Sequence, residues 1–278
     1  MEDRVPEFLA IGHITLDKVE GGYLPGGTAI YSALTAHRLG WRTAVLTSGA
    51  PPEADVLRQQ GIQIRSVPSN STTIFENIYG GGGRTQFVRS VACVIHPSDV
   101  PPAWRSAGTV HLGPVAQEVD PLLVDQFDGA LIGVTPQGWM RSWDGTGRVW
   151  FRQWASAEQI LQKAKVLVFS EHDVQGDAAL LEQYAGMAKT AVVTRGARGC
   201  DLHVAGKVRH LRAYPTDEVD PTGAGDVFAA AFFLYMRQHD DALEAANFAN
   251  CVASFSVEAP GATGIPSKEQ VEARYRPL

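Results

Sequence analysis

Seven consecutive residues, Asp220-Pro221-Thr222-Gly223-Ala224-Gly225-Asp226, have the types and spacing to handle an anion. Two glycines around an alanine let the backbone turn tightly and bring bare N–H groups close to a ligand. The apolar run 227–233 that follows predicts a buried helix, so the turn lies at that helix's positive end, where a phosphate is favoured. Asp226 is placed to open the helix as a short acceptor cap and to stay ionised beside its dipole. A lone GxG would mean no more than an ordinary helix start; the full seven-residue string carries more.

That string resembles the C-terminal signature of the ribokinase-like (PfkB-type) carbohydrate kinases, with both aspartates and both glycines in register. The resemblance implies an α/β fold: a three-layer α/β/α sandwich with a largely parallel central sheet and a small β lid. It implies a single domain over residues 1–278, with lid excursions at about 17–25 and 71–95. The implied activity is ATP-dependent transfer of the γ-phosphoryl group to a hydroxyl of a sugar or cyclitol, and the short chain is similar to compact members that include inositol kinases. Asp226 is then the base, and the backbone of Gly223, Ala224 and Gly225 the anion hole. A nucleoside kinase of the same fold and a non-catalytic sugar- or nucleotide-binding sensor are the alternatives. A nicotinamide enzyme is disfavoured, because no strand–GxGxxG–helix opens the chain.

Further stretches match the family in part. Gly12 to Asp17 follows an apolar strand-like run and resembles the first substrate motif, whose aspartate binds sugar hydroxyls. Gly26 and Gly27 resemble the GG motif that presents backbone to the substrate, but Tyr31 stands where many members carry asparagine. It is either a replaced sugar contact or a core aromatic. Arg141, after Thr135-Pro136-Gln137-Gly138, is suited to a phosphate or an acidic group. Ser170 and Asp173 occupy the positions of an Asn-x-x-Glu motif whose acid helps place magnesium, with Glu171 as a second acid nearby. Magnesium favours one or two carboxylates and retained waters. Thr194, Gly196 and Gly199 resemble the turn on the ATP side, Asn247 and Asn250 offer amides to an adenine, and the loop 259–263 resembles a segment that completes a monovalent-cation (K+) site.

The elements that must hold these residues alternate between strand and helix. Apolar runs at 8–12, 109–112, 130–134, 166–169 and 191–194 predict buried strands, and 120–127, 157–164 and 177–188 predict helices between them. Ser156 and Gln159 have capping-box spacing. Residues 72–79 and 85–94 alternate as a β-hairpin whose glycine run, 80–83, lacks the spacing of a phosphate loop.

With 45% hydrophobic and 19% charged residues among 278, the chain has the composition of a soluble globular protein. A net charge of −6 without a Lys/Arg cluster argues against nucleic acid or an anionic membrane as partner, and the expected partner is a small sugar, cyclitol or nucleoside. Three scattered cysteines and no secretory pattern predict a cytoplasmic protein with free thiols, as monomer or homodimer.

Overall fold

Short apolar runs build the centre of the molecule, because strands covered on both faces need no polar side. The computed structural model describes residues 4–49, 51–80 and 83–278. Its strands are β1 (Phe8–Ile11), β2 (Thr15–Val19), β3 (Gly22–Gly26), β4 (Thr43–Ser48), β5 (Gln63–Val67), β6 (Thr73–Gly80), β7 (Gly83–Ser90), β8 (Thr109–Leu112), β9 (Leu131–Val134), β10 (Arg141–Trp143), β11 (Val149–Phe151), β12 (Val166–Ser170), β13 (Thr190–Thr194), β14 (Cys200–Val204) and β15 (Lys207–Leu211). Its helices are α1 (Thr28–Arg38), α2 (Asp55–Gln59), α3 (Ala157–Leu161), α4 (Ala178–Met187), α5 (Ala224–His239), α6 (Ala242–Ser256) and α7 (Lys268–Arg274).

Nine strands form one sheet in the order β15-β14-β13-β12-β9-β8-β1-β4-β5. Pairing is parallel from β13 across to β5, and β14 and β15 return antiparallel at one edge. Side chains alternate between the faces. Phe8 and Ala10 join the core beneath α1, α5 and α6, whereas Leu9 and Ile11 join the opposite core with Trp104, Ile160 and Tyr184. The result is the expected three-layer α/β/α architecture.

Helix α5 is seated deepest. Its residues 227–234 are all buried, and each buried phenylalanine contributes about 1.5–3 kcal/mol. Phe233 lies so close to β9 that a Cβ on Gly133 would come within 2.5 Å of its ring. His111 of β8 meets the same ring edge-on at 5.0 Å, between the hydroxyls of Ser32 and Thr135. Burial pushes its pKa down to about 3, which keeps it neutral.

A second sheet, β3-β2-β6-β7, stands apart from the first. Its β6–β7 hairpin pairs out to Gly80 and Gly83, and the expected glycine tip at Gly81 and Gly82 lies outside the described residues. Two local expectations differ from the structure. Residues 120–127 form a short 3-10 turn, Pro121–Asp125, capped by Asp120. Ser156 does not cap α3, because its hydroxyl accepts from the Trp154 indole at 3.0 Å. Asp177, by contrast, caps α4 through Ala179 and Leu180. No helix among the described residues is long and apolar enough to cross a membrane.

Candidate active site

The turn before α5 is sharper than its sequence suggests. The helix begins at Ala224, and the capping position is Gly223 with a left-handed φ of 78°. Asp226 is therefore the third helical residue and does not cap the helix as expected. Its N–H donates to Gly223 O at 3.0 Å, and the Ala224 N–H donates to Pro221 O at 3.2 Å. Among the described residues no bond takes up the N–H of Gly223 or Gly225. Of the three N–H groups expected to meet an anion, that of Ala224 is thus already engaged. Asp220 anchors the turn, accepting from Thr222 N–H at 2.9 Å and from Gly261 N–H at 2.8 Å.

Asp226 is only partly exposed at the end of α1. Burial pushes its pKa up to about 6, and the charge of Asp173 adds to the rise. A hydrogen bond from the Thr28 hydroxyl and the charge of Arg141 pull the other way. The expected carboxylate at a helix N-terminus thus remains mostly ionised near neutrality but binds its proton more firmly than a surface aspartate. A pKa near the working pH is what a general base requires.

Opposite this carboxylate stands the junction of β2, β3 and α1. A Cβ on Gly26 would come within 2.5 Å of an Asp17 carboxylate oxygen, and Gly27 enters α1 with φ 90°. Gly26 thus lies against Asp17, while Gly27 lies against His13 O and the Thr15 side chain at a positive φ that favours glycine. The Arg141 guanidinium donates to Val115 O at 2.9 Å and lies 5.2 Å above the Phe75 ring, beside the lid. Tyr31 is 4% exposed and packs its ring against Gly223. Burial, followed by the charges of Asp226, Asp17 and Asp220, pushes its pKa upward. Of the two readings of Tyr31, the structure favours a packed aromatic, but one packed against the anion turn.

The other side of the site departs further from expectation. Thr194 ends β13, and a short turn, Gly196–Arg198, leads to Gly199 and β14. Glu171 is not free to hold a metal, because Arg195 grips its carboxylate at 2.6 Å and Arg198 takes its other oxygen. Arg195 also binds Asp201 at 2.6 Å, and Asp201 meets His210 at 2.7 Å. Asp173 is the better placed acid. It accepts from Ser170 N–H at 2.8 Å and from the Gln137 amide at 3.1 Å, and its charge reaches Asp226. No group of three or more metal-ligating side chains occurs among the described residues.

Asn247 and Asn250 are buried, and their amides are already used. Asn247 donates to Arg276 O at 2.8 Å, and Asn250 to Arg212 O at 3.3 Å. Their N–H groups are therefore not available to an adenine as expected. Asn247 does border a cavity of about 480 Å³, shared with Arg209, His210, Leu243 and Leu278.

Three contributors escaped the sequence reading. The Thr28 hydroxyl lowers the pKa of Asp226, and the Gln137 amide bonds Asp173. Glu118, fully buried, accepts from the N–H groups of His13, Val115 and Ala116 and so braces the strand end that leads to Asp17. Threonine directly after the paired glycines was the one available signal; the other two depend on tertiary contact.

Comparison with known proteins agrees with this geometry. Residues 152–269 match the sequence pattern of the pfkB family carbohydrate kinases. A ribokinase of Bacillus subtilis is 31% identical over 119 residues, a match that spans 41% of each chain. A cytidine kinase of Thermococcus kodakarensis is 26% identical over 81% of this chain and 87% of its own. In fold, a pyrophosphate-dependent kinase of the ribokinase family, solved with a pyrophosphate analog and myo-inositol, superposes with a TM-score of 0.79. That likeness covers 96% of this chain and 99% of the other at 24% identity. The parallel sheet with its small second sheet gives this chain the ribokinase-like fold, and residues 152–269, which hold the turn before α5, match the pfkB family carbohydrate kinases.

Proposed function

We propose that the protein transfers a phosphoryl group, from ATP as first candidate donor, to a hydroxyl of an uncharged sugar or cyclitol. The observation that carries this reading is the partly buried Asp226 carboxylate beside the unbonded N–H groups of Gly223 and Gly225. A substrate hydroxyl held by Asp17 and the backbone of Gly26 and Gly27 gives its proton to Asp226 as its oxygen forms the new O–P bond, while the bond from the γ-phosphorus to the bridging oxygen breaks and ADP leaves with that electron pair. Gly223 and Gly225, with the α5 dipole behind them, receive the negative charge on the phosphoryl oxygens. Arg141 supplies a positive charge near the base. Alignment and charge neutralisation are the main demands of such a transfer.

Three carboxylates, Asp17, Asp220 and Asp226, share the charge environment of Tyr31. That environment suits a neutral polyol better than an anionic acceptor. Donor phosphates would arrive past Thr194, Gly196 and Gly199, with Arg195 and Arg198 close by. Magnesium, which neutralises donor phosphate charge when bound, would find Asp173 as its protein carboxylate. The turn Gly261–Gly264, tied to Asp220, is the candidate support for a monovalent cation such as K+.

A nucleoside acceptor is the second reading, favoured by the long match to the cytidine kinase. The similarity to the pyrophosphate-dependent kinase adds pyrophosphate to the donors worth testing. The experiment is a turnover screen of sugars, inositols and nucleosides with ATP or pyrophosphate, magnesium, and K+ present or absent. Phosphorylated product from one polyol supports the reading. Saturable binding without product from any pair would leave a sensor in its place.

A further inference from the structure

The first turn of α1 holds the transfer machinery at two points. Thr28 and Tyr31 are three residues apart and so share one face of the helix. Thr28 is 4% exposed and its methyl group fills the space over Gly113, where an added Cβ would come within 2.2 Å of Thr28 Cγ2. With the methyl group committed to the end of β8, the hydroxyl is the part of Thr28 left to face Asp226, whose pKa it lowers. Tyr31 meets Gly223 in a different way. A Cβ on Gly223 would lie 2.4–2.5 Å from three of its ring carbons, Cδ1, Cε1 and Cγ, so the glycine rests on the ring. The Thr35 hydroxyl donates to Tyr31 O at 2.7 Å, and Ser32 bonds His111 at 2.8 Å, which fixes the helix turn that presents both side chains.

From this arrangement we propose that Thr28 and Tyr31 are positioning residues for phosphoryl transfer, Thr28 orienting the Asp226 carboxylate and the Tyr31 ring setting the left-handed Gly223 that opens the anion turn. The inference rests on the kinase reading above and deepens it. The same helix starts at Gly26 and Gly27 on the acceptor side. It therefore sets the distance between the acceptor and the phosphoryl-binding turn, and small misplacements there are costly. An ordinary core role for both residues would affect stability without selecting the chemical step.

The test separates these roles through kcat against KM and through conservative rescue. Thr28→Val, close in shape but without the hydroxyl, should lower kcat roughly tenfold with acceptor KM nearly unchanged, and Thr28→Ser should restore it. Tyr31→Leu should lower kcat by roughly ten- to a hundredfold, whereas Tyr31→Phe, which keeps the ring, should stay near wild type. Tyr31→Met replaces Tyr31→Leu if the latter does not fold. Unchanged kcat in Thr28→Val and Tyr31→Leu, or a Tyr31→Phe as impaired as Tyr31→Leu, overturns the proposal. Calorimetric binding of inorganic pyrophosphate to the same full-length variants tests the ring without turnover. Tyr31→Leu should bind about tenfold more weakly than Tyr31→Phe. Equal affinities, or no binding by the wild type, would overturn the role of the ring. Absence of product from every donor–acceptor pair would instead remove the kinase reading, with the binding comparison still deciding the prop.

Discussion

Asp226 and Glu171 are both carboxylates near the ends of the central strands, and the protein treats them in opposite ways. Asp226 is partly buried with Thr28, Asp173 and Arg141 in range, and burial raises its pKa to about 6. Glu171 also suffers burial, but the hydrogen bond from Arg195 and the charge of Arg198 outweigh it and hold the carboxyl below the usual glutamate range. One carboxylate has its proton affinity raised, and the other is neutralised by a chain of partners running through Arg195 to Asp201 and His210. Raised proton affinity within a cleft marks a working group more often than a paired one does. The Glu171 cluster reads as a structural clamp that holds the turn Gly196–Arg198 against the end of β12.

The largest effect that would sharpen this contrast is Asp226→Asn, expected to lower kcat by about 10²-fold or more while acceptor binding persists. Steady-state kinetics and acceptor titration check it, and wild-type turnover would remove Asp226 from the chemistry. Next in size is Gly223→Ala. The new Cβ must enter the Tyr31 ring at a φ of 78°, a strain of about 1–3 kcal/mol, so both melting temperature and kcat should fall.

The two carboxylates also give opposite pH dependence. The folded pKa of Asp226 lies above its unfolded value, so its contribution favours the fold at low pH and is lost as pH rises toward and through about 6. Asp226→Asn should therefore melt higher than wild type above that pH, while wild-type kcat rises with pH through the same range. Glu171 has a lowered folded pKa, so its stabilisation is present above the ordinary glutamate range and is lost as pH falls below it. Melting curves at pH 4, 5.5 and 8 for wild type, Asp226→Asn and Glu171→Gln would show whether the signs differ as expected.

The smallest effects lie within the clamp. Arg195→Met leaves Glu171 and Asp201 without their shared partner, both less than one fifth exposed, and should cost about 1–3 kcal/mol in urea unfolding. Arg198, whose side chain is 65% exposed, should change stability by about 0.5 kcal/mol or less when replaced by methionine. Equal costs at the two positions would break the assignment of Arg195 as the central link.

Much of the site was legible because its signals are local. A tight glycine turn followed by an apolar helix needs only adjacent residues, and 220–226 announced both the turn and the carboxylate. Apolar runs at 8–12, 109–112, 130–134, 166–169 and 191–194 likewise became central strands, since burial on both faces leaves a continuous hydrophobic mark. Local signals mislead where a nearby group competes. Ser156 bonds Trp154 and leaves α3 uncapped, and Asp226 lies inside a helix whose cap is Gly223.

By itself, then, the chain determined the alternation of strand and helix, the tight glycine turn before α5 and the glycine pair before α1, because periodicity and backbone freedom are properties of neighbouring residues. Tertiary structure alone decided which carboxylates are paired and which gain proton affinity. Glu171 and Asp173 are two residues apart, yet Arg195 and Arg198 take the first, while Gln137, 36 residues away, meets the second. Thr28 and Asp226, like Tyr31 and Gly223, are far apart in sequence and meet only when α1 packs beside the start of α5. Proton affinity depends on burial and on every charge within reach, and those are set by packing across the whole sheet.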